Sequence, residues 1–272
     1  MHRRPSINRE ESPLDPSPQV SPSPSAQDPS PSGADGVGAS YIYLDMITAV
    51  FITALLTSNL VASKASEIVP GFVVGVGIFI FPISYIFGDI LTEVYGYKRS
   101  RRVIWLGFGS VGLAALIFYL CDVAPPAPGF KHQEAFHTIL GQSPMVLAAS
   151  LTAYFVGEFC NSYVMARMKV WTEGKHLWMR TIGSTIVGEG VDSLIFYPLA
   201  FALLPMLFGF HEAVWAWGTV VTVMINNYIL KVVLETLFTP LTYLLVRHLK
   251  EAEGVDHYDR DTNFNPFVLE DR

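Results

Sequence analysis

The sequence predicts an all-α integral membrane protein, a bundle of six transmembrane helices. Three observations carry this. Apolar residues make up 51% of the 272-residue chain and charged residues only 15%, the latter well below the norm for soluble proteins. The apolar residues gather into six stretches, 43–63, 71–94, 103–123, 145–167, 182–208 and 213–246, each near or above the roughly 20 residues that a spanning helix requires. Several of these stretches also carry ionisable side chains, which a lipid-facing surface does not tolerate.

Residues 1–40 come first and differ from the rest. They are rich in Pro and Ser, as in Ser21-Pro22-Ser23-Pro24-Ser25. They hold almost nothing to bury, which predicts a disordered tail. Arg3 and Arg4 resemble the start of a signal peptide, but no apolar stretch follows them at the proper distance.

The first span carries Asn59 near its outer end, and the second ends in Asp89 and Glu93, four residues apart. Gly71 with Gly75, and Gly107, Gly109 and Gly112 in the third span, have the small-residue spacing of helix-packing sites. The fourth span holds Glu158 and Asn161 on one face. The fifth contains Gly188, Gly190, Pro198 and Pro205, so a kink is expected. The sixth is too long for one upright crossing and is expected to tilt or to extend past the membrane. A polar tail, 251–272, closes the chain. Acidic residues in the two tails are most simply solubilising.

Connecting charges give an orientation. Lys98, Arg99, Arg101 and Arg102 lie between spans two and three, and Arg167, Lys169, Lys175 and Arg180 between four and five. Arg247 and Lys250 follow span six, while the opposite side has only Lys64 and Lys131. The positive-inside rule then places both termini in the cytoplasm, as an even number of spans requires. Tyr41, Tyr43, Trp105, Trp171, Trp178, Trp215 and Trp217 fall near span ends, where interfacial aromatics belong.

The intramembrane polar groups align in depth. At about 1.5 Å per residue, Glu158 lies roughly 3 Å and Asn161 roughly 8 Å inward of the middle of span four. Asp192 and Glu189 lie roughly 5 and 9 Å inward in span five, and Lys231 sits near the middle of span six. Scattered structural groups have little reason to share a level, so a binding cavity is the favoured reading. Asn226 and Asn227 flank it; Asn227, Lys231 and Glu235 recur at spacings of four. Blander readings stand beside this one. Lys231 and Glu235 could bridge along their own helix, although the Lys-first order is the weaker. Asp89 and Glu93 could pair with Arg99 or Arg102 rather than gate a pathway, and Asn59 could be a packing hydrogen bonder.

Several chemistries are disfavoured. Net charge is −6, so nothing points to nucleic acid. Cys121 and Cys160 give no disulfide framework. No phosphate loop or H-E-x-x-H occurs, and the seven histidines lie in tails, loops or span ends, which argues against a midplane metal site. No nucleophile elbow is present. An intramembrane protease would need two facing Asp, and only Asp192 is well placed. A receptor or assembly factor would not need a charged cavity. A carrier binds its substrate near the midplane between helices, and that is what the residues favour.

Ordered segments then carry a resemblance: Asn59-Leu60-Val61-Ala62-Ser63-Lys64, Gly88-Asp89-Ile90-Leu91-Thr92-Glu93-Val94-Tyr95-Gly96, Gly157-Glu158-Phe159-Cys160-Asn161-Ser162, Arg180-Thr181-Ile182-Gly183-Ser184-Thr185, Gly188-Glu189-Gly190-Val191-Asp192-Ser193, and Lys231, Glu235 and Thr239-Pro240. Over about 41–250 the chain resembles the YhhQ-type queuosine precursor transporters, a family also named for vitamin uptake. The resemblance implies import of 7-cyano-7-deazaguanine, and of its 7-aminomethyl relative, across a bacterial inner membrane. It implies a fold like the substrate-binding subunits of energy-coupling-factor importers but no obligatory ATPase partner, and neither a cofactor nor enzymatic activity.

That substrate suits the residues. A deazaguanine presents two adjacent N–H donors, which one carboxylate can accept together; Glu158, Glu189 and Asp192 are the candidates. Asn161 or Asn226 can meet the remaining positions, since amides both donate and accept. Lys231 can donate to the ring carbonyl or neutralise a carboxylate, and Tyr154 or Phe196 can stack on the ring. Two rival readings remain open: a substrate-binding subunit that docks on a separate ATPase, and a carrier for another purine or vitamin. Energy source and oligomeric state stay open as well.

Overall fold

The computed structural model describes residues 41–61, 64–69, 72–141, 144–209, 211 and 214–268. The tail 1–40 lies outside them, as does Gly71. Helix α1 (Leu44–Val61) leads into an antiparallel hairpin of β1 (Ala65–Val69) and β2 (Phe72–Gly75), a 3₁₀ turn (Val76–Phe79) and α2 (Phe81–Tyr95). Then come α3 (Tyr97–Val123), the short α4 (Gln133–Leu140) and the long α5 (Pro144–Trp171). Helix α6 (Leu177–Pro198) passes through a π turn (Leu199–Leu203) into α7 (Leu204–Leu207), and α8 (Trp217–Glu253) follows.

Five helical runs among the described residues are long and apolar enough to cross a membrane: α1, α3, α5 with the segment before it, α6 continued through α7, and α8. The second expected span, 71–94, is not one helix. Ile68-Val69 and Phe72-Val73-Val74 flank Pro70-Gly71, two β-favouring runs around a turn dipeptide. Hydropathy alone does not separate such a pair from the start of a helix. What remains, α2, has 15 residues and is about 22 Å long, against a hydrocarbon core of about 30 Å.

Short as it is, α2 is the most enclosed helix. Ile90, Leu91, Val94, Tyr95, Asp89, Thr92 and Glu93 are all buried. The long helices turn apolar side chains outward instead: Leu113, Leu120, Leu194, Leu237 and Leu244 are each about 60–70% exposed. Apolar outside and polar inside is the arrangement lipid demands.

Gly96 joins α2 to α3 in one residue. Its φ of +81° is open to glycine and strained for other residues. The cluster Lys98–Arg102, expected in a loop, therefore forms the first turns of α3. The irregularity in the fifth span is a π turn, Leu199–Leu203, directly after Pro198, which has no N–H to give the helical ladder. The helix is continuous through Gly188 and Gly190. Helix α8 is unbroken over 37 residues despite Pro240.

Helices α5 and α6 pack against each other more extensively than any other pair. A Cβ on Gly157 would meet the Asp192 Cβ at 2.9 Å and the Gly188 carbonyl at 3.1 Å; one on Gly188 would meet the Asn161 Cβ at 2.6 Å. The two glycines face each other and let the backbones touch, as small residues do in membrane bundles. Of the small-residue sites expected in α3, only Gly107 is in contact, under the Tyr154 hydroxyl; Gly109 and Gly112 have nothing within 4 Å. A buried hydroxyl triangle of Thr92, Ser100 and Ser162, with sides of 2.9–3.1 Å, ties α2, α3 and α5 together.

Six helix ends meet at one end of the bundle. The backbone N–H groups of Ile42 and Tyr43, before α1, donate to Glu253 at the end of α8. The Tyr95 hydroxyl, at the end of α2, donates to the same carboxylate. The Tyr97 N–H at the start of α3 bonds Asp259, and Lys169 near the end of α5 bonds Asp256. Arg180, in the first turns of α6, pairs with Glu93 of α2. Helices α1, α2, α3, α5, α6 and α8 thus alternate in direction, with α2 completing the alternation.

The C-terminal segment behaves differently from a solubilising tail. Residues 256–266 lie along this end as a strap. Arg101, fully buried, donates to the Asn263 and Asn265 carbonyls at 2.8 and 2.9 Å. The Trp105 indole donates to the Pro266 carbonyl, and the Tyr97 hydroxyl to that of Phe264. Asp259 is buried on the Tyr97 N–H. The acidic residues here are structural partners, which composition does not reveal.

Candidate functional site

Close approach of α5 and α6 at Gly157 and Gly188 places the residues after each glycine at one junction. Glu158 and Glu189 follow directly, and Asn161 and Asp192 lie a further turn along. Gly88 does the same on α2: a Cβ there would stand 2.7 Å from Glu158 Oε1. Three glycine–carboxylate pairs, Gly88-Asp89, Gly157-Glu158 and Gly188-Glu189, thereby bring acids from three helices together.

The site has two halves. In the first, Lys231 of α8 reaches across to α6, with its Nζ 2.8 Å from Glu189 Oε2 and 2.9 Å from Asp192 Oδ2. Tyr85 of α2 hydrogen-bonds Glu189, and its ring centroid lies 6.0 Å from the Lys231 ammonium. The alternative bridge from Lys231 to Glu235 along α8 is not formed: Lys231 pairs with the two acids of α6, and neither Glu235 oxygen has a hydrogen-bond partner within the protein.

In the second half, the Asn161 amide donates to Asp89 Oδ1 at 3.1 Å. Glu235 lies in the electrostatic field of Asp89, Glu158 and Glu189. All four side chains are buried: Asp89, Glu158, Asn161 and Glu235. Among the described residues, Asp89 Oδ2, Glu158 Oε1, Asn161 Oδ1 and both Glu235 oxygens lack a hydrogen-bond partner within the protein. Buried acceptors in native proteins are normally satisfied; the Thr181 hydroxyl stands beside Asp89, and Glu158 and Glu235 are left short of donors.

Toward the end where the strap lies, Glu93 is arranged in the opposite way. Its carboxylate receives Arg180 Nη2 at 2.8 Å, Lys250 Nζ at 2.7 Å and Lys169 Nζ at 3.6 Å. The expected partners Arg99 and Arg102 are elsewhere. Arg99 donates to the Tyr95 carbonyl and lies over the Tyr41 ring at 4.5 Å; Arg102 is exposed. Asp89 likewise takes Asn161 as partner rather than an arginine. Lys169 and Lys250 are shared with Asp256 of the strap, at 2.6 and 2.8 Å. Burial alone would raise the Asp256 pKa, but these two ammonium groups hold it below the usual Asp value.

Asn226 does not join the site. It lies on the exposed face of α8, about 140° around the helix from Lys231. Its neighbour Asn227 is on the Lys231 side and donates to the Val223 carbonyl. Asn59 donates to the Leu55 carbonyl and accepts weakly from Ser150, which fits the packing role. Tyr154 packs against α3, its hydroxyl 3.5 Å from the Ile104 carbonyl. Phe196 sits edge-on to Tyr197 and Phe201 at 5.1 and 5.8 Å. The aromatic residues that do stand near the ion triad are Tyr85 and the buried Tyr197; Tyr85 is the one on α2. Its spacing of four from Asp89, and of eight from Glu93, was the available signal.

The sequence profile of the family described as "Putative vitamin uptake transporter" matches residues 75–245, well over half of the chain and all of this site. The chain belongs to that family. Within reach of it, a protein of Bacillus subtilis (strain 168) described as "Probable queuosine precursor transporter" is 27% identical over 202 residues, covering 74% of this chain and 83% of that protein. The "Queuosine precursor transporter" of Escherichia coli (strain K12) is 25% identical over 162 residues, covering 58% of this chain and 69% of its own. No solved structure matches the chain. Membership of this transporter family places the acid-rich junction in a multi-pass membrane protein that moves a small molecule.

Proposed function

We propose that this vitamin uptake transporter family member imports queuosine precursors, 7-cyano-7-deazaguanine and its 7-aminomethyl relative, across a bacterial inner membrane. The observation that carries the reading is the surplus of buried acceptors beside one amide: Glu158 Oε1 and Asn161 Oδ1 have no donor within the protein. A guanine-like edge supplies adjacent N–H donors that a carboxylate accepts in a bidentate, charge-assisted pair. Glu158 is the reader of that edge, and Asn161 takes the next donor. The Lys231, Glu189 and Asp192 triad presents a cation for the ring carbonyl, and Tyr85 closes that side. The two queuosine precursor transporters named above support the substrate class.

Six crossings, with α2 as the short one buried by its neighbours, fit the alternation of helix directions. Non-standard backbone at membrane depth is tolerated where protein covers it. The end that gathers Arg99, Lys169, Arg180, Arg247 and Lys250 faces the cytoplasm by the positive-inside rule, and both ends of the membrane part lie there. The carrier works without an ATPase subunit.

The test uses cells unable to make the precursor and supplied with it at low concentration. Glu158→Ala or Asp192→Ala abolishes queuosine in tRNA while the protein remains in the membrane. Normal salvage by both variants refutes the site.

A further inference from the structure

We propose that Glu235 is a proton-binding site and that a proton carried by it drives uptake, an inference that rests on the transport reading above. Glu235 projects from α8 one turn beyond Lys231, is 1% exposed, and has no hydrogen-bond partner within the protein on either carboxylate oxygen. The titratable groups whose charge acts on it from the packed helices are acids: Asp89 of α2, Glu189 of α6 and Glu158 of α5. The nearest cation along its own helix, Lys231, is held by Glu189 and Asp192 across the groove. Lys169, Arg180 and Lys250, toward the strap end of the bundle, are gathered on Glu93.

An ionised carboxylate without a partner is expensive in a low-dielectric interior, and neighbouring carboxylates there do not all ionise. Asp89 has one amide donor, and Glu158 is matched to the substrate. Glu235 has neither, so its charge is removed by a cation. A divalent ion would require several converging oxygen ligands; a proton requires only one carboxylate oxygen, and it is the cation proposed here. It adds to one carboxylate oxygen, takes the group from a charge of −1 to neutral, and turns it into a donor toward Asp89 or Glu158. When the site opens to the cytoplasm the same O–H bond breaks and the proton leaves. Import of a neutral base then moves at least one positive charge inward.

Two measurements on full-length protein separate this inference from the substrate reading. Dicyclohexylcarbodiimide modifies protonated carboxyl groups in apolar surroundings. In membranes at neutral pH, peptide mass spectrometry should find Glu235 modified, with labelling that falls as pH rises and is absent from Glu235→Gln. Absence of labelling at Glu235 across the pH range overturns the proton site whether or not transport occurs. In proteoliposomes, a gradient of two pH units, acid outside, should raise accumulation of 7-cyano-7-deazaguanine several-fold, toward a limit of about 100-fold for one proton. Glu235→Gln, recovered folded from the membrane, should lose that response. A wild-type protein that exchanges substrate but ignores the gradient, or follows a sodium gradient alone, overturns the coupling, as does a variant that still follows the proton gradient. A wild-type protein with no exchange at all refutes the substrate reading instead.

Discussion

Two acids one turn apart on α2 stand in opposite circumstances. Glu93 is one carboxylate among three cations, Lys169, Arg180 and Lys250. One turn earlier, Asp89 belongs to a group of five acids, with Glu158, Glu189, Asp192 and Glu235, that has Lys231 as its cation. Both sets are largely buried. The difference teaches that burial of charge does not by itself mark function; the balance of partners does. A saturated network such as that of Glu93 holds helix ends in place. A network short of donors waits for something to supply them.

The largest expected effect breaks this contrast directly. Glu93→Ala leaves Lys169 and Lys250 with Asp256 as their carboxylate and Arg180 with none, and removing one partner of a buried ionic network costs about 3–5 kcal/mol. Thermal unfolding in detergent should show a large fall in Tm or no folded protein. Glu158→Gln should keep stability within about 1 kcal/mol, because it removes a charge that has no partner, while it abolishes uptake. Equal destabilisation by the two variants would remove the distinction.

Next comes the junction that builds the site. Gly188→Ala drives a methyl group to 2.6 Å from the Asn161 Cβ, so α5 and α6 must part. Overpacking of this kind costs about 1–3 kcal/mol, and uptake should fall with it. Gly112→Ala, with nothing within 4 Å, should stay within about 0.5 kcal/mol. The pair reports whether a glycine matters by what it touches.

Smaller is the effect at the strap. Asp256→Asn weakens two ion pairs of a half-exposed group, for which about 1 kcal/mol or less is expected after screening. The folded-state pKa of Asp256 is depressed, so its contribution is present at neutral pH. It is lost as pH falls below the usual Asp value of about 3.9 and through the lower folded value. Protease sensitivity of residues 256–266 should rise over that window in the wild type and be raised already at neutral pH in the variant. Smallest is removal of residues 1–39, which should leave uptake unchanged; loss of transport would show that the tail takes part.

Much of this was legible in the sequence, for physical reasons that can be named. The spans holding Glu158, Asn161, Glu189, Asp192 and Lys231 were readable because lipid forbids such groups except where protein encloses them. Their shared depth followed from helical rise alone. Partner choice was not readable, because it depends on rotation about each helix axis. Hydropathy placed Asn226 and Asn227 alike inside the membrane, and only the packing of α8 turns Asn227 inward and Asn226 out. Glu93 found cations more than 70 residues away rather than Arg99 beside it, since the strap and the α5–α6 connection decide which charges meet. The strand pair before α2 was hidden because its apolar strands score like a helix. The strap was hidden because its anchors are backbone carbonyls, which leave no trace in composition, and the carboxylates of Asp256 and Asp259, whose partners Lys169 and Tyr97 are far away in sequence.

The central claim is that the donor-poor acids around Glu158 recognise a deazaguanine. Equilibrium binding of 7-cyano-7-deazaguanine to purified protein in detergent, with guanine and biotin as competitors, tests it most directly. The account predicts saturable binding by the wild type that biotin does not displace, lost in Glu158→Gln at unchanged Tm. Binding by Glu158→Gln as tight as the wild type, or displacement by biotin in preference to guanine, would contradict it.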